Sequence, residues 1–157
     1  MGTDTMLTQV LDSEATAALA QRIGPLLHPG DTLLLEGDVG AGKTHFARHL
    51  IRSILITPED IPSPTFTLVQ TYDTQAGSLW HCDLYRIGTT AEIEELGLTE
   101  AFETAICLVE WPDRLGPLRP SKSLQITLAH CGDPQHRRLT IGLDDSTWND
   151  RLGALLS

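Results

Sequence analysis

The stretch TLLLEGDVGAGKTHFARHLI, residues 32–51, decides the architecture. Thr32 to Glu36 is a short apolar run bounded by turn residues, the pattern of a strand buried on both faces. Gly37 to Gly42 is a glycine-rich turn. From Lys43 to Leu55 the spacing predicts a helix with Phe46, Leu50 and Ile54 on one face. Strand, glycine loop and helix enclose Gly37-Asp38-Val39-Gly40-Ala41-Gly42-Lys43-Thr44, which fills every fixed position of GxxxxGK[ST], the P-loop pattern. The chemistry needs this spacing. Glycines let successive backbone N–H groups turn inward around a phosphate, and the helix N-terminus adds the positive end of its dipole. Lys43 then reaches the β- and γ-phosphates, and the Thr44 hydroxyl is placed to coordinate Mg²⁺.

Outward from this core, a helix capped by Asp12 or Ser13 precedes the first strand, with Ala15, Ala18, Leu19, Ile23 and Leu26 at helical spacing. Pro58 to Pro64 reads as a constrained loop. Phe66 to Tyr72 and Ser78 to Tyr85 read as a hairpin turning at Thr74-Gln75-Ala76-Gly77. Thr89 and Glu92 make a capping box for a short helix, and a second covers about Thr99 to Thr104. Ala105 to Glu110 is another buried strand, cut by Pro112. Ser123 to His130 and His136 to Gly142 form a second hairpin, and Thr147 to Leu156 a final helix. The expected fold is α/β and P-loop NTPase-like, one domain over residues 1–157, its largely parallel sheet carrying antiparallel hairpin additions.

A P-loop needs a second metal anchor, and Glu110, which ends AICLVE, is the candidate, holding Mg²⁺ directly or through water. No second acid follows it; Trp111 does, as core or as a lid beside the nucleotide or a partner. Guanine-specific P-loop proteins carry NKxD, whereas the sole Asn here is Asn149. Asp113 to Gly116 spells DxxG but lies past Pro112 and reads as a loop. The expected cofactors are ATP and Mg²⁺.

Composition excludes other classes. Of the 157 residues, 41% are hydrophobic and 20% charged, which suits a globular core and not a disordered chain. Eleven basic residues against twenty-one acidic ones give a net charge of −10, so binding of nucleic acid or anionic membrane by this chain alone is disfavoured. Cys82, Cys107 and Cys131 form no CxxC pair, and Cys82 beside His81 reads as a buried strand cysteine. No signal peptide and no stretch long enough to span a membrane is visible, so the expected location is cytoplasmic.

Four segments in order, GDVGAGKTHFAR, SPTFTLV at Ser63 to Val69, HCDLYR at His81 to Arg86 and LVEWPD at Leu108 to Asp113, carry a family resemblance over about Asp12 to Asp113. The chain resembles the TsaE (YjeE) family, small P-loop ATPases of bacterial tRNA threonylcarbamoyladenosine biosynthesis. The resemblance implies an ATPase that works with a threonylcarbamoyl-transferase subunit and its inactive paralogue and meets tRNA through that complex. By position it implies that Val39, Gly40, Ala41, Gly42, Lys43 and Thr44 hold phosphate and that Thr44 and Glu110 hold Mg²⁺. Asp83 becomes a functional acid, and Ser13 lies where the nucleotide edge approaches. His45 stands where Thr or Ser is common, and Cys82 where an aromatic is usual; neither is a fixed ligand.

From the residues themselves, Thr65 in its Pro-flanked loop either reaches Mg²⁺ and the γ-phosphate as a switch threonine or starts a strand. Asp83 serves the reaction or pairs with Arg86. The acidic residues from Glu92 to Glu103 read as a solvated helix face. Two other activities fit the same cradle: a small-molecule kinase, for which Arg114 and Arg119 are a sparse lid, and a nucleotide-sensing scaffold with negligible hydrolysis.

Overall fold

The computed structural model describes residues 4–38, 40–59, 61, 69–143 and 147–156. Among them, seven strands form one sheet in the order β1-β7-β6-β2-β5-β4-β3. The strands are β1 (Asp4–Asp12), β2 (Thr32–Glu36), β3 (Val69–Thr74), β4 (Gly77–Asp83), β5 (Ile106–Glu110), β6 (Ser123–His130) and β7 (His136–Leu143). The helices are α1 (Ser13–Ile23), α2 (Lys43–Ile54), α3 (Thr90–Glu95), α4 (Leu98–Thr104) and α5 (Thr147–Leu156). The four central strands β6, β2, β5 and β4 run parallel, and β3, β7 and β1 add antiparallel partners at the two edges. This is the expected mixed architecture.

Central strands in parallel sheets are covered on both faces, and β2 shows it. Leu33 and Leu35 join the core under α1, α2 and α5, whereas Leu34 joins the core under α3 and α4. β5 alternates the same way, Ile106 and Leu108 to the first side and Cys107 and Val109 to the second. Cys82 and Cys107 are buried, and burial pushes both thiols up, Cys107 to about 12, so they pack as small apolar groups.

Local signals account for most element ends. The Asp12 carboxylate accepts the Ala15 N–H at 2.8 Å and caps α1. The Thr89 hydroxyl accepts the Glu92 N–H at 3.4 Å at the start of α3. Phe46, Leu50 and Ile54 of α2 are all buried. Residues 112–118, with their DxxG, form a kinked 3₁₀ segment broken at Gly116.

Three details differ from the sequence reading. β1 was not anticipated: it is an edge strand with Thr8, Gln9 and Val10 exposed, so it lacks apolar alternation and takes its register from β7. Ala18 faces solvent while Thr16, Ala17 and Ala20 are buried, so the buried face of α1 is rotated from the one its apolar spacing suggested. β4 ends at Asp83, because its carboxylate accepts the Tyr85 N–H at 2.9 Å and turns the chain. The proposed strand residues 66–68 lie outside the described residues.

The last helix is keyed into the fold by one acid. Arg151 forks onto both oxygens of Asp31, with Nη2 at 3.0 Å from Oδ1, and stacks 4.0 Å from the Trp148 ring centre. Asp31 also accepts the His28 N–H, which closes the turn between α1 and β2. Trp148 is fully buried in the α1/α2-side core. Trp148→Ala is expected to cost about 3–5 kcal/mol, the range for truncating a large buried aromatic. Urea unfolding should show a lower midpoint at unchanged slope; a loss below about 1 kcal/mol would mean α5 is not part of the cooperative core.

Candidate functional site

Parity along the parallel strands builds the site. Leu108 of β5 packs toward α2, so Glu110, two residues on, points the same way. Leu79 of β4 does too, so His81 and Asp83 follow. The register sets Leu35 beside Glu110 and Glu110 beside Asp83. The carboxyl ends of β2, β5 and β4 therefore finish at one edge, where open α/β sheets bind ligands.

The glycine loop leaves β2 at that edge. Gly37 has φ +151, and a Cβ there would lie 2.4 Å from the Leu128 carbonyl oxygen of β6. Gly42, with φ +106, turns the chain left-handed directly into α2. These two constraints, one steric and one conformational, bring Lys43 and Thr44 to the start of α2 facing β5.

The Thr44 hydroxyl donates to Glu110, 3.0 Å from Oε1 and 3.1 Å from Oε2. His81 Nε2 lies 2.7 Å from Oε2 of the same carboxylate. Glu110 is only 3% exposed and His81 is fully buried. Lys43 donates from Nζ to the Gly37 carbonyl and, at 3.0 Å, to the Asp38 carbonyl. Its ammonium also sits 4.2 Å from the Trp111 ring centre. Burial pulls the Lys43 pKa below the ordinary lysine value, against Glu110, Asp83 and Asp38, which favour the charge. Trp111 holds φ 60 and ψ 55, a left-handed conformation costing a non-glycine residue about 1–2 kcal/mol. Its indole sits beside Lys43 with Tyr85 4.8 Å away, and the partly buried ring also packs against the core under α3 and α4.

Asp83 is half-buried at the same edge. Burial pushes its pKa above the usual carboxylate value and Glu110 adds to the rise, while the Tyr85 N–H, His81 and Lys43 pull it down. Among the described residues Asp83 makes no ion pair with Arg86, so that structural pairing does not explain it. Ser13 at the start of α1 meets the first turn of α2: its carbonyl oxygen lies 3.1 Å from His45 Nε2. Gly40, Ala41, Gly42, Lys43, Thr44, Glu110, Asp83 and Ser13 all fall around this edge; Val39 and Thr65 lie outside the described residues.

A cleft of about 520 Å³ opens alongside the glycine loop, within the usual range for small-ligand sites. Ser13, Glu14 and His45 line it, as do Ala41, Gln135 and Arg137. Arg137 escaped the sequence reading. It reaches from β7 to the Gly40 carbonyl at 3.4 Å and is braced by the Pro134 and His136 carbonyls. Nothing local marks it, since Gly40 is 97 residues away. His81 was visible inside HCDLYR, and strand parity alone would have set it beside Asp83 on the α2 side.

Thr44, Glu110 and Asp83 offer hydroxyl and carboxylate oxygens, the donor set a hard divalent cation such as Mg²⁺ takes. Lys43 and the loop backbone offer donors for phosphate. The residues present fit both groups.

A family model described as "Threonylcarbamoyl adenosine biosynthesis protein TsaE" matches residues 10–139. The chain is 40% identical to the "tRNA threonylcarbamoyladenosine biosynthesis protein TsaE" of Rickettsia bellii, over 76% of this chain and 83% of that protein. It is 38% identical to the protein of the same name from Bacillus subtilis, over 81% of this chain and 79% of that one. The crystal structure of Bacillus subtilis YdiB superposes with a TM-score of 0.78 at 30% identity, covering 99% of this chain and 96% of that chain.

The raised pKa of Asp83 carries a stability consequence whose sign is fixed. A carboxylate harder to ionise in the folded state favours folding when protonated and loses that advantage as pH rises through its folded pKa. Asp83→Asn, which keeps an oxygen for the Tyr85 N–H, is therefore expected to melt higher than the wild type at pH 7. The gain should shrink toward zero below about pH 4, where the unfolded-state carboxyl is protonated. Melting curves across that range check it; equal melting temperatures at pH 7 would show that Asp83 carries no such penalty.

Proposed function

Because the chain belongs to the TsaE family, we propose that it is a Mg²⁺-dependent ATPase supporting tRNA N6-threonylcarbamoyladenosine formation in the cytoplasm, together with a threonylcarbamoyl-transferase subunit and its inactive paralogue. The observation that carries this reading is the meeting of Thr44 with the buried Glu110 carboxylate at 3.0 Å beside Lys43. An apolar pair would suit that depth better; a hydroxyl–carboxylate pair suits a site that takes a cation.

Bound Mg²⁺ would supply charge neutralisation on the β- and γ-phosphates. Thr44 and Glu110 would hold it. Lys43 would exchange the Gly37 and Asp38 carbonyls for phosphate oxygens, and the Gly40, Ala41, Gly42 and Val39 backbone would cradle the phosphates. The nucleoside would lie in the cleft between Ser13 and His45 on one wall and Arg137 on the other. Asp83 is the acid proposed to take a proton, its basicity raised by burial. Thr65, on its Pro-flanked loop, is proposed to complete the γ-phosphate side.

Residue 111 is a tryptophan, so no second acid follows Glu110 along the chain, and the acid beside it is Asp83 on the neighbouring strand, at the half-open edge. Turnover by the isolated chain is therefore slow and rises when partners close the Asp83 edge. A net charge of −10 favours tRNA contact through the basic surfaces of partners. No described helix is long and apolar enough to cross a membrane. The kinase reading loses support: Arg119 is engaged with Gln125 and Glu36, and Arg114 lies beside Asp113, so neither is held as a phosphate lid.

Calorimetry on Lys43→Ala is expected to show Mg·ATP affinity down about 10- to 100-fold, the worth of about one hydrogen bond to a charged group. Unchanged affinity would overturn the phosphate site. ATP should bind more tightly than GTP, and comparable affinities would remove the adenine assignment.

Phosphate release should be slow for the chain alone, faster with both transferase subunits, and unstimulated in Asp83→Asn. Stimulation retained in Asp83→Asn would remove Asp83 from the reaction, and no release under any condition would leave a nucleotide-sensing scaffold.

A further inference from the structure

The proposed function gives His81 no task, yet its surroundings are hard to explain by packing. The ring is fully buried in β4, and among the described residues its Nδ1 finds no hydrogen-bond partner. Burying an unpaired ring nitrogen is unfavourable, and a leucine at this strand position would carry no such penalty. The other nitrogen is engaged closely: Nε2 lies 2.7 Å from Glu110 Oε2. A hydrogen on Nδ1 would have no acceptor, so the proton belongs on Nε2, which donates to the carboxylate.

Glu110 is thus held from two sides, by the Thr44 hydroxyl across both oxygens and by the imidazole on Oε2. The imidazole is itself fixed by strand register, with His81 aligned to Leu108 on β5 and to Gln70 on β3. Without the imidazole, the Thr44 hydroxyl would be the one described side-chain donor left to orient the carboxylate. We infer that His81 is a positioning residue for the cation site: it holds the Glu110 carboxylate against the Thr44 hydroxyl, so that both meet an incoming Mg²⁺ already oriented. This rests on the reading of Thr44 and Glu110 as the magnesium ligands. Hydrogen-bonded partners of this kind typically govern metal affinity by about 10- to 100-fold.

The test is calorimetric titration of ADP into the full chain at stepped Mg²⁺ concentrations, starting from excess chelator. His81→Leu and His81→Asn both remove the donor, the second because its amide is too short to reach Glu110. His81→Gln carries an N–H about where Nε2 stood. The expected result is a magnesium midpoint raised about tenfold or more in the Leu and Asn variants, with metal-free ADP affinity within about twofold of wild type. His81→Gln should return the midpoint to within about threefold of wild type.

A structural role would lower metal-free and metal-dependent binding in parallel, and that pattern overturns the inference. So does a wild-type midpoint in a folded Leu or Asn variant, or a Gln variant no better than Asn. Circular dichroism and melting curves report folding; if His81→Leu does not fold, the Asn and Gln pair decides. An ADP affinity that ignores Mg²⁺ even in the wild type overturns the magnesium site itself, and is told apart because every variant is then equally insensitive.

Discussion

A carboxylate buried at the end of a central strand is the constraint on which the rest of this structure depends. Glu110 stands almost wholly out of water, and an uncompensated charge there would cost several kcal/mol. It is held by donors from two other elements, the Thr44 hydroxyl on α2 and the His81 imidazole on β4. For those donors to arrive, β4 must lie parallel to β5 in register, and α2 must start directly over the strand ends. The close approach of Gly37 to the Leu128 carbonyl and the left-handed turn at Gly42 make that start possible. Sheet order, loop geometry and helix placement are thus answerable to one acid.

The same edge gathers features that a fold optimised for stability would avoid. Lys43 is buried at a cost to its charge, Asp83 is pushed toward its neutral form, Trp111 adopts a strained backbone and the His81 Nδ1 has no hydrogen-bond partner among the described residues. Strain and desolvated charge are concentrated at this one edge, and packing alone offers nothing in return for them. The opposite end of the molecule looks different. There Asp31, Arg151 and Trp148 form a satisfied cluster that fastens the last helix to the turn before β2. Stability is built at one end and spent at the other.

The C-terminal third, which carries no motif, supplies more than support. β6 provides the carbonyl that Gly37 packs against, and β7 carries Arg137 to the tip of the glycine loop. The cleft beside the loop is walled on one side by residues from the start of α1 and on the other by the β6–β7 turn. The family match ends at residue 139, so it takes in Arg137 as well as the strand–loop–helix core.

By itself the sequence determined β2, the glycine loop and α2, both hairpins, the helix caps and the family, because each is written in short-range patterns. Turn residues, apolar period and capping side chains act within a few residues of one another. Lys43, Thr44 and Glu110 were legible for that reason, the last as the acid closing an apolar run. Asp83 was legible through its motif, but the absence of an ion pair with Arg86 among the described residues was not. Tertiary structure alone decided β1, the buried face of α1, the grip of His81 on Glu110 and the reach of Arg137 to Gly40. Each of these joins segments far apart in the chain, 29 residues for His81 and Glu110 and 97 for Arg137 and Gly40. No local pattern encodes such a meeting: β1 is an edge strand with little apolar alternation, strand parity gives the face His81 shares with Asp83 but not the acid it meets, and a lone arginine in a strand reads the same wherever it points. Sheet order and register made these contacts, and they follow from burying the whole chain at once.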